Sequence, residues 1–427
     1  MNFYDKLISD YDFSLDKNGV SGERLASRLA ALSEIGLTSN NGSHRIGFSR
    51  EEKAAKDMVK KWMAEAGLTV TEDGAGNVFG RLDSKNPSLP AILSGSHVDS
   101  VPNGGHFDGP LGVLAALEVV EAWKQTGFMP ERSFEVVIFT DEEGARFNGG
   151  FSGSSSIIGE ATREELLPKV DIHGAPFSKV LEDIGLSVDD FFNSKRDLSK
   201  LEAFVEIHIE QGKRLERAGV PVGIVTGIAG PCWLKVKFSG RAGHAGNTPM
   251  DDRRDALVAA SQFIYEVQSL PSRVSSSAVA TVGKVDVLPN GVNVIPGEVR
   301  LTVDIRDINK ETRDQLVDLV IEKAKSISTT NGIDLQYEET LREAPVPISE
   351  EMQQKLEKSV VAQGIKPVYL PSGAGHDSMI VGHVLPVAMI FVQSKDGISH
   401  NPAEWSSLSD CVQSVHVLKD FVEGYDR

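Results

Sequence analysis

Hydrophobic and polar positions alternate between strand-like and helix-like patterns over the first half of the chain. The segments that begin at Glu51 and Val113 carry apolar residues at helical spacing and stop at Gly67 and Gly127, as helices commonly do. Apolar strands that alternate with such helices are typical of a mainly parallel sheet flanked by helices. Four apolar runs that end in polar residues predict the strands: NVFGRL, AILSGSH, SFEVVIFTDEEG and AFVEIHIEQG.

The pattern changes after about residue 224, where polar and apolar residues alternate one by one. LKVKFSG, TVGKVDVL and VRLTVDIR predict half-buried antiparallel strands, with two helical segments among and after them. After IDLQYEETL the chain returns to helix, strand and a final helix from about Leu408. The sequence therefore predicts an α/β protein. A discontinuous domain of residues 1–223 and 339–427 is interrupted by a small α+β domain of residues 224–338.

Composition and charge narrow the function classes. The chain has 427 residues, of which 40% are hydrophobic and 25% are charged, as in ordinary globular proteins. No apolar run approaches the roughly 18 residues of a membrane span. The net charge of −17 disfavours nucleic acid and anionic membranes as partners. The two cysteines cannot form a disulfide framework and the first residues lack a signal-peptide pattern, so we expect a cytoplasmic protein.

Ligand-type side chains crowd into a glycine-rich stretch, GSHVDSVPNGGHFDGPLG, at residues 95–112. We expect a loop after the predicted strand AILSGSH, because the stretch has too many glycines for a helix and is too polar for a core strand. Imidazole and carboxylate together suit Zn²⁺ or Mn²⁺, which makes His97 and Asp108 candidate ligands. Asp99 is a candidate for orienting the His97 ring. From this stretch alone, a glycine-rich loop with incidental polar residues is an equally good interpretation.

Three further motifs carry ligand-type residues after apolar strands. TDEEGARF places Glu142 and Glu143 together, and metal hydrolases need one carboxylate as ligand and one that moves protons. A lone pair of glutamates is nevertheless more often a solvated acidic turn. EIHIEQG contains His208, although a single strand histidine is usually a core residue, and GISHNPAEWS places His400 in a polar loop.

Taken together, these signals predict a metal site at one edge of the sheet. In open α/β sheets ligands bind beyond the carboxyl ends of the strands. One bridging carboxylate with two ligands on each side suits two divalent ions about 3.5–4 Å apart. Three imidazoles and two carboxylates fall at strand ends: His97, Asp108, Glu143, His208 and His400.

The order of these motifs resembles the M20 metallopeptidase family, and within it the hydantoinase/carbamoylase branch. The resemblance rests on H-x-D, G-G-x-x-D-G, D-E-E-G-A-R-F, H-I-E-Q-G, G-R-A-G-H-A-G-x-T-P-M and S-H-N-P, and it runs from about Arg45 to Trp405. It implies hydrolysis of the C–N bond of a carbamoyl group, with an N-carbamoyl-L-amino acid as the expected substrate. The alternatives are an allantoate or ureidoglycolate amidohydrolase or a β-ureidopropionase. An M20 peptidase or aminoacylase is less favoured, because HIEQG offers His208 rather than an acidic ligand. A non-catalytic binding protein is less favoured because neither Glu142 nor any ligand position is missing.

The resemblance also implies a role for each metal-site residue. Two divalent ions per subunit, Zn²⁺, Mn²⁺, Co²⁺ or Ni²⁺, would be bridged by Asp108. His97 and His208 would complete one site, and Glu143 and His400 would complete the other. Glu142 would act as general base and acid, and Asp99 would support His97.

The substrate implied by the resemblance is a small molecule with a carboxylate and a ureido group. Arg306 would hold the carboxylate, although from the residues alone it could simply pair with Asp304 or Asp307. The α+β domain would be a lid that forms a homodimer interface. Its His244 would reach the partner's active site. The implied substrate-binding residues are Gln211, His244, Asn293, Arg306 and Gly375.

Overall fold

The computed structural model describes residues 2–426, which form two compact units. The first unit comprises the described residues through Thr226, residues 348–370 and those from His376 onward. The second comprises residues 227–347 and 371–375. It extends beyond residue 338 because its last long strand continues past that point. The assignment of the two units as a catalytic domain and a lid stays a prediction.

Helices and strands alternate along the chain much as the sequence predicts. None of the described helices is long and apolar enough to cross a membrane. In chain order the strands are Thr69–Glu72 (β1), Val78–Leu82 (β2), Ala91–His97 (β3), Phe134–Phe139 (β4), Leu201–Ile209 (β5), Val222–Ile228 (β6), Gly230–Ser239 (β7), Gly243–His244 (β8), Val279–Leu288 (β9), Val294–Ile295 (β10), Glu298–Asp307 (β11), Asp334–Arg342 (β12), Val346–Pro347 (β13), Tyr369–Ser372 (β14) and Val387–Val392 (β15). The helices are Phe3–Ser9 (α1), Gly22–Ser33 (α2), Arg50–Ala66 (α3), Pro110–Thr126 (α4), Ser152–Ile158 (α5), Arg163–Leu166 (α6), Phe177–Ile184 (α7), Val188–Phe192 (α8), Arg214–Ala218 (α9), Ala256–Val267 (α10), Lys310–Asn331 (α11), Glu350–Ala362 (α12), Asp377–Val381 (α13) and Leu408–Gly424 (α14).

The central sheet of the first unit is mainly parallel, in the strand order β1-β2-β4-β3-β5-β15-β6. β3 pairs in parallel with β4 and β5, and β15 pairs in parallel with β5. β2 and β6 are antiparallel to their neighbours. Every residue of β3, β4 and β15 is buried, as expected for strands covered by helices on both faces. The predicted fold class is confirmed, and the carboxyl ends of β3, β4 and β5 lie at one edge.

The glycine-rich stretch at residues 95–112 is only partly a loop. The predicted strand AILSGSH is confirmed as β3, which ends at His97, whereas α4 begins at Pro110, before the predicted helix start at Val113. Proline is well suited to a first helical turn, where its missing N–H costs nothing. Ser96 fits inside the core because its Oγ donates a 2.7 Å hydrogen bond to Glu206 Oε1. A polar strand end is therefore buried where the neighbouring strand supplies its partner.

The second unit combines a four-stranded antiparallel sheet, ordered β12-β7-β11-β9, with α10 and α11. Phe238 on β7, Phe263 on α10 and Leu316 on α11 belong to one buried core, which places both helices against the same face of the sheet. Residues along β7 and β11 alternate between buried and more exposed positions. A sheet covered on one face accounts for the one-by-one polarity pattern of the sequence.

A buried aromatic cluster anchors the segment that follows β4. Phe147, which comes after the two glutamates of the DEEG motif, packs edge-on against Phe48 and Phe177, with ring centroids 6.3 and 5.3 Å apart. Phe177 also packs against Phe191, with centroids 5.3 Å apart. All four rings are buried. The cluster thus ties the loop after β4 to the body of the first unit.

We expect Phe177→Ala to lower the free energy of unfolding by about 3–5 kcal/mol, because it removes a fully buried ring. Urea unfolding followed by circular dichroism measures the change. Phe13→Ala is the matched control, since the Phe13 ring is 56% exposed and its edge contact with Tyr11 is worth at most about 1.5 kcal/mol. Equal shifts in the two variants would show that the cluster does not stabilise the unit.

Candidate metal centre

Three segments of the first unit converge at the shared edge of β3, β4 and β5. His97 is the last residue of β3, His208 lies near the end of β5, and Asp108 lies in the loop that leads into α4. One side-chain atom of each residue lies within 4.8 Å of the others, and all three residues are buried. These residues form the first candidate half-site, meaning a set of groups able to hold one metal ion.

Backbone carbonyls orient both imidazoles of this half-site. His97 Nδ1 lies 3.1 Å from the carbonyl oxygen of Asp99, and His208 Nδ1 lies 2.9 Å from that of Ile209. A carbonyl oxygen only accepts, so in the neutral rings each Nδ1 carries the proton and each Nε2 keeps its lone pair. His97 Nε2 is buried without a hydrogen-bond partner among residues 2–426. Metal-ligating histidines are typically held in this way.

Asp108 also belongs to a second candidate half-site, with Glu143 and His400. Glu143 comes after β4, and His400 lies in the loop between β15 and α14. His400 Nε2 lies 3.4 Å from Glu143 Oε2 and 3.5 Å from Asp108 Oδ2. The His400 side chain is 49% exposed, so this half-site is open to solvent.

The two oxygens of Asp108 face different half-sites. Oδ1 lies 3.1 Å from His208 Nε2 and 3.6 Å from His97 Nε2, whereas Oδ2 lies near His400. A carboxylate placed in this way can bridge two divalent ions. Imidazole and carboxylate donors suit zinc and the neighbouring divalent transition metals. The residues present therefore fit a divalent metal centre.

Buried carboxylates crowd this centre and shift one another's titration. Burial is the main cause that raises the pKa of Glu142 and of Glu143 well above the usual range, and the charge of Glu143 or Asp108, respectively, adds to it. Burial also acts to raise the pKa of Asp108, but His208 and His97 outweigh it and lower that pKa. Burial acts to lower the pKa of both histidines, but the nearby carboxylates raise it. A positive charge among these groups would relieve their repulsion.

Asp99 holds the segment that carries the two glutamates. Its Oδ1 accepts a 3.2 Å hydrogen bond from Glu142 N, and its Oδ2 accepts a 3.1 Å bond from Glu143 N. The same Oδ1 lies 3.4 Å from His97 Nδ1. Glu142 Oε2 lies 3.6 Å from His97 Nε2, so its carboxylate faces the first half-site. Asp99 therefore contacts parts of both half-sites, whereas the sequence connected it with His97 alone.

Three non-glycine residues around the centre have left-handed backbone conformations. The φ angles are 54° at Asp141, 56° at Gln211 and 54° at His400. Each such conformation costs on the order of 1–3 kcal/mol and persists only where the surrounding structure holds it. Asp141 is held in part by Ser152 Oγ, which donates to its Oδ2 at 2.6 Å. Strain of this kind concentrates at functional sites.

Gln211, predicted to bind substrate, lies beside the bridging carboxylate. Its Nε2 donates a 2.7 Å hydrogen bond to Asp108 Oδ2. Its Oε1 is buried and has no hydrogen-bond partner within the described part of the chain. The amide therefore presents an open acceptor near the centre, which a substrate N–H group would satisfy.

His244 and Asn293 are brought together in the second unit. His244 lies on β8, which pairs with β10, and the backbone carbonyl of Asn293 accepts from Ala245 N at 3.0 Å. His244 Nδ1 accepts hydrogen bonds from the N–H groups of Gly246 and Asn247, each at 3.1 Å. The neutral ring therefore carries its proton on Nε2 and can donate it. Both predicted substrate-binding side chains are exposed.

Arg306 is paired within the second unit. Its Nε and Nη2 lie 2.9–3.2 Å from the carboxylate of Asp304, which was one of the two pairings left open by the sequence. Its Nη1 donates to Gly373 O at 2.8 Å. Arg306 lines an open cavity of about 640 Å³, together with Trp233 and Gly373. Gly375, the remaining predicted residue, lies in the loop after β14.

Two residues at the centre were not predicted from the sequence. Ser399 Oγ lies 2.6 Å from Asp108 Oδ2, and Glu404 Oε1 accepts from Asp108 N at 3.1 Å. Both belong to the segment GISHNPAEWS, which was singled out for His400. Their place in that segment was the available signal, but a serine and a glutamate are ordinary residues in a polar loop.

Comparison with known proteins assigns the chain to a family. Residues 93–424 match peptidase family M20/M25/M40. The chain belongs to this family. The N-carbamoyl-L-amino acid amidohydrolase of Geobacillus stearothermophilus is 45% identical to this M20 chain, over 93% of the chain and 97% of that protein. The allantoate amidohydrolase of Bacillus subtilis (strain 168) is 34% identical, over 92% and 94%, respectively.

A solved structure supports the same assignment. The crystal structure of an amidase of the hydantoinase/carbamoylase family from Burkholderia multivorans matches this M20 chain with a TM-score of 0.88 and 35% identity, over 95% of this chain and 98% of that one. The resemblance inferred from the motifs is confirmed, and the named relatives are amidohydrolases. The family is metal-dependent, which agrees with the donor set of the two half-sites. The roles of the individual residues stay predictions.

We expect the metal-free M20 chain to lose stability as the pH rises from about 5 to 8. Glu142 and Glu143 have raised pKa values in the fold, so over this range the folded state binds more protons than the unfolded state. The free energy of unfolding then falls with pH, by at most about 1.4 kcal/mol per unit for each group. The raised pKa values of His97 and His208 act in the same direction. Urea unfolding of chelator-treated protein at several pH values measures this slope.

Glu142→Gln tests whether the fall of the unfolding free energy with pH arises at the metal centre. The variant removes one titrating group and should reduce this slope. Added Mn²⁺ or Zn²⁺ should restore the stability of the chelator-treated protein at the higher pH, because metal replaces protons. A flat profile, or a slope unchanged in Glu142→Gln, would contradict the raised pKa of Glu142.

Proposed function

We propose that this M20 chain hydrolyses an N-carbamoyl-L-amino acid to the L-amino acid, CO₂ and ammonia, with one water consumed. The observation that carries the proposal is the position of Asp108 between two half-sites, with the Glu142 carboxylate facing one of them. The 45% identity to a carbamoyl-amino-acid amidohydrolase, against 34% to an allantoate amidohydrolase, favours this substrate class.

The proposed centre holds two divalent ions, Zn²⁺, Mn²⁺, Co²⁺ or Ni²⁺, one in each half-site. His97 and His208 would hold one ion, Glu143 and His400 would hold the other, and Asp108 would bridge them. When bound, such ions supply Lewis acidity, which polarises the carbamoyl carbonyl and makes water a nucleophile near neutral pH.

Glu142 is the proposed general base and acid. It lies beside the first half-site but belongs to neither ligand set. Burial is the main cause of its raised pKa, which makes the ionised carboxylate a stronger base toward water, and the protonated form can then return the proton to the departing nitrogen. Asp99, which accepts from Glu142 N, keeps the backbone of this residue in place.

Five residues are proposed to recognise the substrate or stabilise its reaction. Gln211 Oε1 is an open acceptor for a ureido N–H, and the guanidinium of Arg306 suits a carboxylate. Asn293 and the loop amides near Gly375 would add hydrogen bonds. His244 is exposed and able to donate from Nε2, which suits stabilisation of an oxyanion. We further propose a homodimer through the second unit, in which His244 serves the partner's site, and a cytoplasmic location.

Allantoate is the second candidate substrate, because it also combines a carboxylate with ureido groups and an allantoate amidohydrolase is among the relatives. The protein's release of ammonia from each of the two substrates can be measured side by side. Turnover of allantoate alone would replace the proposed substrate while leaving the proposed chemistry of the centre intact.

We expect metal-loaded protein to release ammonia from N-carbamoyl-L-methionine, and to do so faster than from N-carbamoyl-β-alanine or allantoate. N-acetyl-L-methionine serves as the acyl substrate, with L-methionine release as its assay. Glu142→Gln should lower kcat by about 10²–10⁴-fold because the proton-transfer group is lost, with metal content unchanged. Glu65→Gln, an exposed glutamate on α3, is the matched control. No turnover of any carbamoyl substrate by protein that contains metal would reject the proposal.

We expect Arg306→Lys to raise KM for the carbamoyl substrate by about 10–100-fold with little change in kcat. A charge-assisted hydrogen bond to the substrate carboxylate is worth roughly 1.5–3 kcal/mol, and lysine cannot reproduce the two-pronged contact. Arg300→Lys on the same strand is the control, since Arg300 pairs with Glu298. Steady-state kinetics separate the two parameters, and matching KM values in both variants would exclude Arg306 as the carboxylate group.

A further inference from the structure

A buried glutamate outside both ligand sets connects the two loops that meet at the metal centre. Glu404 is only 3% exposed. Its Oε1 accepts hydrogen bonds from Phe107 N at 2.8 Å and from Asp108 N at 3.1 Å. Its Oε2 lies 2.8 Å from Ser399 Oγ. One carboxylate thus contacts the loop that carries Asp108 and the loop that carries His400.

Ser399 extends this connection to the bridging carboxylate itself. Its Oγ lies 2.6 Å from Asp108 Oδ2, so the hydroxyl sits between the carboxylates of Glu404 and Asp108. Glu404 therefore holds Asp108 through the backbone N–H, and the Ser399 hydroxyl, which can donate its single hydrogen to either carboxylate, lies between the two side chains. The next residue after Ser399 is His400, whose left-handed backbone must be held by its surroundings.

The position of Glu404 is fixed from several sides. Gly105 leaves room for its carboxyl group, since a Cβ added there would lie 2.0 Å from Glu404 Cδ. Glu404 N donates to Asn401 O at 2.9 Å. The adjacent Trp405 packs edge-on against Phe107, with ring centroids 5.5 Å apart. The carboxylate is therefore pre-positioned by packing on both loops.

We propose that Glu404 is a positioning residue that sets the place of Asp108 relative to both half-sites. The inference rests on the proposed function, because it concerns the same metal centre. A change in a single ligand such as His400 weakens one half-site, but displacement of the bridging carboxylate weakens both at once. Groups that orient metal ligands typically change metal affinity by 10–100-fold when they are removed.

Competition with a coloured chelator, using Mn²⁺ or Zn²⁺ alone as the probe, measures the affinity of both sites. Glu404→Ala should weaken binding of both ions by about 10–100-fold, because Phe107 N and Asp108 N lose their acceptor. Glu404→Gln should rescue most of the affinity, since its amide oxygen can still accept from both N–H groups. Gly105→Ala should weaken both sites while the carboxylate is retained, because the added methyl group displaces it.

Glu118→Ala is the matched control for loss of a buried carboxylate. Glu118 is fully buried and pairs with Arg24, away from the residues of the centre. It should lower the urea midpoint without a change in metal affinity. The inference is overturned if Glu404→Ala and Gly105→Ala keep wild-type affinity, if only one site weakens, or if Glu118→Ala weakens binding equally. If Glu404→Ala does not fold, the metal affinity of Gly105→Ala tests the inference by itself. Wild-type affinity in this variant, or weakening of only one site, then overturns the inference.

The wild-type protein separates this inference from the proposed function. Binding of two ions by the wild type, with unaltered affinity in the variants, rejects only the positioning role of Glu404. Absence of divalent-ion binding by the wild type rejects the proposed centre and this inference with it.

Discussion

Repulsion among buried carboxylates is the main physical constraint on the candidate metal centre of the first unit. Asp99, Asp108 and Glu142 are all buried at the end of the parallel strands, with Glu143 beside them. Ionised carboxylates in such a place are strongly unfavourable unless positive charge or hydrogen-bond donors compensate. The structure supplies donors to some of them, from the backbone to Asp99 and from Gln211 to Asp108. A divalent cation would neutralise the remaining negative charge. The repulsion among the carboxylates would therefore favour metal binding.

Backbone groups, rather than further ionised side chains, orient Asp99 and the two buried candidate ligands His97 and His208. Carbonyl oxygens hold Nδ1 of His97 and His208, and backbone N–H groups hold Asp99. Such contacts follow from the ends of β3, β4 and β5, where strand pairing has ended and backbone groups are free to bind side chains. They add no net charge to a crowded centre. The orientation of these three side chains is consequently set at the sheet edge, where the ends of neighbouring strands bring them together.

The fold was predictable because its signals are local. Buried strands such as β4 are continuous apolar runs, and helices such as α3 and α4 end at glycines in the left-handed conformation. The ligand-type residues stood out because histidine and acidic residues are unusual after such strands. Ser399 and Glu404 did not stand out, since their contacts with Asp108 cross a sequence separation that no local pattern records. The strand that contains Ser96 was predicted from its apolar residues, but the sequence did not show that Glu206, far along the chain, accepts the Ser96 hydrogen bond.

The placement of the candidate residues separates the proposed chemistry from the proposed recognition. All residues assigned to the metal centre and to proton transfer belong to the first unit, whereas Arg306, His244 and Asn293 belong to the second. A carboxylate that binds Arg306, as proposed, would have to compete with Asp304, which already contacts the guanidinium within the second unit. The Arg306–Asp304 pair would therefore reduce the net gain from any single carboxylate, so selectivity among carboxylates must come from other contacts of the ligand.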